Sequence, residues 1–178
     1  MGGTSTTILT VPPGALVVLV GPAGSGKSTL AKRLFPSAAV LSSDTFRARI
    51  GTSEADQTVT RAAFAALHRD LETRLAARRT AVVDATSLTP AARSALLTRA
   101  RAHGAAAIAI VLDLPPDLVQ QRNAGRTRRV VPESAILRQL AMLHAVTNAT
   151  LAGEGFRVVH RLRSDDDLAA LRVEVEPG

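Results

Sequence analysis

A glycine-rich stretch, GPAGSGKS at residues 21–28, has the spacing G-x-x-x-x-G-K-[ST] and stands between an apolar run and a helical pattern. Gly21, Gly24, Ser25 and Gly26 allow backbone N–H groups to turn inward around phosphate oxygens. The helix that follows, with Thr29 in its first turn, directs its positive end to the same place. Lys27 can reach β- and γ-phosphates, and Ser28 can put its hydroxyl on Mg²⁺. The chemistry implied is binding of ATP with Mg²⁺.

A second stretch, LSSDTFR at 41–47, ends an apolar run with Asp44 and places Arg47 three residues on. Phosphoryl transfer is mostly positioning and charge stabilisation, but a hydroxyl acceptor benefits from a carboxylate that takes its proton. In a doubly wound sheet the second strand end is expected close to the phosphate loop. Asp44 then faces the γ-phosphate across an acceptor oxygen, and Arg47 holds an acceptor phosphate or the transferring group. The competing reading is a helix-start aspartate with a solvated arginine nearby. Asp84, ending TAVVDAT, can bind Mg²⁺ through water, orient Arg47, or line an acceptor pocket with Thr86; a structural cap is its alternative. Asp113, before Leu-Pro-Pro, is expected to be structural.

QRNAGRTRRVVPE at 121–133 carries a third set. On a continuous helix Arg122, Arg126 and Arg129 share one face, and like charges there cost free energy unless an anion meets them. ATP phosphates and the developing transition-state charge are the candidate anion, so residues from about 115 to 131 read as an arginine-bearing lid. Gly125 suits a part that moves. The alternative is a solvated basic face. The histidines at 68, 103, 144 and 160 are scattered without ligand spacing, and none is assigned a catalytic role.

These residues must be held by regular elements. Residues 15–21 and 80–86 are short, valine-rich and apolar, as buried strands are; 38–44 and 105–113 read the same way, and 155–163 as an edge or final strand. Helices are expected over 27–35, 54–79, 90–103, 116–129 and 132–152, with Thr89 and Pro90 starting the third, Gly153 stopping the fifth, and Ser164 capping a last short one. The alternation predicts an α/β fold with a mostly parallel central sheet and helices on both faces, ligands gathering at the carboxyl ends of the strands. One domain over residues 1–178 is expected, with 1–14 as a loose arm or extra edge strand.

Composition narrows the classes. The absence of cysteine rules out disulfides and thiolate metal sites. No secretory leader or run of membrane-span length is present, so a cytoplasmic protein without a membrane partner is expected. The net charge of +7 is carried almost wholly by arginine, since Lys27 and Lys32 are the only lysines. A basic chain suits polyanions, but only the placement of the arginines is informative. No N-K-x-D guanine signature appears. His68-Arg69-Asp70 imitates a protein-kinase catalytic loop inside a helical pattern, with Leu75 where asparagine should stand.

GPAGSGKST, LSSDTFR, ADQTVTRAAFAALH, VVDATSLTPAAR and QRNAGRTRRV, in that order from about residue 15, resemble the 5′-polynucleotide kinase module of bacterial polynucleotide kinase-phosphatases. The resemblance implies a three-layer P-loop NTPase fold and transfer of the γ-phosphate of ATP to the 5′-OH of RNA or DNA. It implies Lys27 and Ser28 on ATP and Mg²⁺, Asp44 as general base, Arg47 on the acceptor's terminal phosphodiester, and Arg122 and Arg126 as lid arginines. Gln57 and Thr58 fall on the acceptor side, and Arg163 and Ser164 border the adenine. Unlike that family, this chain carries no phosphatase or ligase-like signature. Kinases of antibiotics, nucleosides or sugars share the P-loop and base aspartate and remain the alternative, a small hydroxylated substrate replacing the nucleic acid. A nucleotide-binding regulatory module is the third reading, disfavoured because a pure sensor needs no acceptor base. Whether the chain forms a homodimer stays open.

Overall fold

In the computed structural model, residues 6–51, 57–127 and 130–176 are described, the side chains of residues 57 and 58 excepted. Five parallel strands form the central sheet: β2 (Leu16–Val20), β3 (Val40–Ser42), β4 (Ala81–Asp84), β5 (Ala107–Leu112) and β6 (Val158–Leu162), in the order β3-β4-β2-β5-β6. A separate parallel pair joins β1 (Thr7–Val11) to β7 (Leu171–Val175). β2, β4 and β5 are buried along their whole length, which explains their unbroken valine, isoleucine and alanine content.

The period of two divides β2 between two cores. Leu16, Val18 and Val20 face one cluster, and Val17 and Leu19 the other. The first cluster receives α3 (Gln57–Ala76) through Ala63, Leu67, Leu71 and Leu75, a stripe at four-residue spacing. Each leucine of that stripe contributes on the order of 2 kcal/mol by burial. α4 (Pro90–Ala102) packs there with Leu96 and Leu97, and its start is as expected, Thr89 Oγ1 accepting from Ala92 N at 3.1 Å behind Pro90. The second cluster receives Leu30 and Ala31 of α1 (Lys27–Leu34), with Leu9 and Val11 of β1 and Leu171 of β7.

Several expected boundaries move. The chain from 43 is already helical: α2 (Ser43–Ile50) puts Asp44 in a first turn, where a carboxylate is favoured by the helix dipole. α3 is described from Gln57 on, and residue 54, its expected start, lies outside the described residues. The expected helix 116–129 ends early, as α5 (Pro116–Ala124), with Gly125 as its C-cap. The span 132–152 is two helices, α6 (Glu133–Ala145) and α7 (Asn148–Glu154). Buried Val146 turns extended between them, Thr147 caps α7, and the left-handed stop is Gly155 at φ 115°, not Gly153. The N-terminal arm is a strand, but it pairs with β7 rather than with the edge of the main sheet. β7, following the capped α8 (Asp165–Ala170), was not expected at all. Among the described residues no helix is long and apolar enough to cross a membrane.

Candidate active site

The loop after β2 opens a cavity of about 1130 Å³ at the carboxyl ends of the strands. Its shape depends on glycine. Gly24 has φ 85°, and a Cβ there would stand 2.7 Å from the Val119 carbonyl of α5. Gly26 has φ 93°, and a Cβ there would lie 3.5 Å from Nη1 of Arg122, so that guanidinium overhangs the loop. Gly24, Gly26, Lys27, Ser28 and Thr29 line the cavity. Ser25 is fully buried behind them, its Oγ without a hydrogen-bond partner among the described residues, and Gly21 N–H is tied to Thr86 O at 3.0 Å.

Lys27 is nearly buried and donates to the Gly21 and Pro22 carbonyls at 2.9 and 2.7 Å. Burial lowers its pKa to about 8 despite the opposing attraction of Asp84 and Asp44, and the Arg126 charge pushes the same way as burial. One ammonium thus feels both carboxylates and an arginine of the region after α5. The unfolded lysine keeps its proton to about 10.5, so between pH 8 and 10.5 the unfolded state binds more protons. Lys27 therefore costs stability below pH 8, on the order of 3 kcal/mol, and the cost fades as pH rises to 10.5. Two outcomes are expected. Affinity of the free protein for nucleoside triphosphate should fall as pH rises through about 8, by isothermal titration. The stability advantage of Lys27→Met over the parent should shrink between pH 8 and 10, by urea unfolding.

β4 lies between β2 and β3 in the sheet, so Asp84 stands beside the phosphate loop and Asp44 on the far side of Asp84. Ser28 Oγ donates to Asp84 Oδ2 at 2.7 Å. A hydroxyl beside a carboxylate is an oxygen-only donor set. It suits Mg²⁺, which takes one or two protein groups and completes its shell with phosphates and water. Among the described residues no group of three or more histidines and carboxylates gathers into a metal cage.

Asp44 lies one strand further out and lines the same cavity. Arg47 Nη1 donates to Asp44 Oδ1 at 2.8 Å, and the guanidinium sits 5.8 Å from the centre of the Phe64 ring of α3. Thr86 and Ala85 complete this end. Opposite, Arg122 and Arg126 both reach the cavity, though not from one helical face as expected, because Arg126 lies beyond the α5 C-cap. Arg129 is outside the described residues. Arg122 pairs with Asp165 at 2.5 Å. Buried Asn123 closes the segment behind them, its amide bonding Val131 O at 2.8 Å and Val131 N at 3.0 Å.

Other expected positions fall elsewhere. Arg163 lines a separate hollow of about 360 Å³ with Asp113 and His144, and Ser164 caps α8. Asp165, Leu168, Ala169 and Arg172, further along that segment, line the main cavity instead. Asp113 is paired with Arg161 at 2.9 Å. The side chains of Gln57 and Thr58 lie outside the described residues. Sequence reasoning missed Asp165, Phe64, Asn123 and Gln139; Phe64 lies within ADQTVTRAAFAALH and Asn123 within QRNAGRTRRV, but the Asn123 clasp closes across eight residues.

The fold recurs in known structures. Over 87% of this chain and 92% of the other it is similar to Kti12 of Chaetomium thermophilum, in complex with ADP-AlF3, with a TM-score of 0.66 at 17% identity. A protein of the Pnkp1/Rnl/Hen1 RNA repair complex is similar over 82% of this chain, TM-score 0.62 at 24% identity, and the match spans 47% of that longer chain. A sugar kinase from Janibacter sp. HTCC2649 is similar over 84% of each chain, TM-score 0.55 at 20% identity. By sequence, no curated protein matches. Residues 16–146 match the model of the AAA domain family AAA_33, a span that includes the phosphate loop, Asp44, Asp84, Arg122 and Arg126. The chain belongs to the AAA_33 family and has the α/β fold of the P-loop kinases.

Proposed function

We propose that the protein is an ATP-dependent kinase that phosphorylates the 5′-OH of RNA or DNA, with Asp44 as general base. The observation that carries this reading is the convergence of Asp44 with Lys27, Ser28, Arg122 and Arg126 on one cavity, where Lys27 feels the charge of Asp44. Ser28 and Asp84 would hold Mg²⁺, which supplies charge neutralisation across the phosphates when bound. Lys27 leaves the Gly21 and Pro22 carbonyls for phosphate oxygens. Arg122 exchanges Asp165 for phosphate, and with Arg126 it meets the negative charge that builds on the transferring group. Asp44, oriented by Arg47, accepts the proton of the attacking hydroxyl. Arg47, stacked on Phe64, holds the phosphodiester that follows the acceptor sugar.

The nucleic-acid acceptor is supported by the motifs shared with polynucleotide kinase modules and by the similarity to the RNA repair complex. A small hydroxylated acceptor is the second reading, favoured by a single aromatic ring, Phe64, at the acceptor end and by the fold shared with a sugar kinase. The two separate in one assay. With γ-labelled ATP and Mg²⁺, label should pass to 5′-OH RNA or DNA oligonucleotides, and transfer should weaken steeply as salt rises. Label appearing only on members of a panel of sugars, nucleosides and aminoglycosides would reject the polynucleotide acceptor.

A further inference from the structure

The phosphate loop is anchored from outside itself. Ala23 N–H, in the first half of the loop, donates to Gln139 Oε1 of α6 at 2.7 Å across 116 residues. A backbone N–H can only donate, so this bond settles which end of the carboxamide is oxygen. Nε2, with two protons, is thereby held at the other end. No group among the described residues accepts from it. Gln139 lines the cavity together with Lys27, Arg122 and Arg126.

The seat of α6 does not depend on this bond. Ile136 and Leu140 of α6 pack with Ala23 and with Val119 of α5 in a small apolar cluster. The position in the loop also matters. The amides that open α1, from Lys27 on, make the anion site at the helix N-terminus. Ala23 lies before that site, on the side of α6, and its proton is spent on Gln139 rather than aimed at a phosphate. The carboxamide thus passes one donor of the cradle outward by the length of an amide group.

We propose that Gln139 extends the phosphate cradle as a catalytic residue, Oε1 fixed by Ala23 N–H and Nε2 donating to the terminal phosphate of the bound nucleoside triphosphate. The role rests on the reading of the cavity as a phosphoryl-transfer site but not on the identity of the acceptor. Two variants separate it from a mere staple. Gln139→Glu keeps the oxygen that Ala23 N–H needs and turns a carboxylate toward the phosphates; Gln139→Ala removes both ends. ATP and ADP affinities, measured without acceptor beside a thermal melt, give the readout. Gln139→Glu should bind ATP at least about tenfold more weakly with ADP little changed, and Gln139→Ala should lose less. A staple gives the reverse order: Gln139→Glu near the parent, and Gln139→Ala weakened for ATP and ADP alike. That order, or parental ATP affinity in both variants, would overturn the proposal. On the parent protein, the Gln139 side-chain N–H resonances should shift with ATP and hardly with ADP; equal shifts would overturn it as well. If no acceptor were phosphorylated, the ATP-to-ADP ratio would still decide the role of Gln139.

Discussion

Asp44→Asn should leave nucleotide affinity at the parental level and slow phosphoryl transfer by about 100-fold to 10,000-fold, the range of a removed general base. That corresponds to about 3–5 kcal/mol of lost transition-state stabilisation. The asparagine is nearly isosteric and still offers an oxygen to Arg47, whose bond to Asp44 is 2.8 Å, so the local geometry should survive. Lys27, Ser28 and Asp84 are untouched, which is why ATP binding should not change. Single-turnover transfer beside isothermal titration with ATP separates the two effects. Transfer near the parental rate would mean that Asp44 does not take the proton.

Arg93→Ala should be the most damaging change away from the site itself, by about 3–5 kcal/mol in urea unfolding. Arg93 is buried, with 1% exposure, and grips Glu154 with both prongs of its guanidinium at 2.6 and 2.7 Å. Its remaining nitrogen donates to Ser87 O and Leu88 O at 3.1 and 2.7 Å. Ser87 holds a positive φ of 49°, costly for a residue with a side chain, and these bonds keep it there. Removal leaves a carboxylate and two carbonyls without their donor. The same loop carries Thr86, which bonds Gly21 N–H, so activity should fall along with stability. A double change, Arg93→Met with Glu154→Leu, removes the orphaned charge and should recover much of the loss. Stability of Arg93→Ala within 1 kcal/mol of the parent would contradict the staple.

The part of the site that the chain announces is the part written contiguously. GPAGSGKS fixes its own backbone through glycine and the helix after it, and Thr89-Pro90 starts α4 by local chemistry alone. Asp44 and Arg47 are three residues apart on one helix turn, so their pairing is also local. What spacing does not encode is which strand intervenes. The insertion of β4 between β2 and β3 puts Asp84, rather than Asp44, on Ser28. The same holds for contacts closed by packing: Gln139 on Ala23, Asp165 on Arg122, and β1 beside β7. The short helix α2 is illegible for a related reason. α2 has eight residues, and over that length an apolar run ending in Ser-Ser-Asp reads equally as a strand end or a helix start.

The most direct test of the central claim is the fate of the γ-phosphate when the parent protein meets ATP, Mg²⁺ and a 5′-OH oligonucleotide. The account predicts one new 5′-monophosphate end for each ADP released, and loss of both in Asp44→Asn. ADP released without phosphorylated ends, at a rate the oligonucleotide does not change, would contradict it.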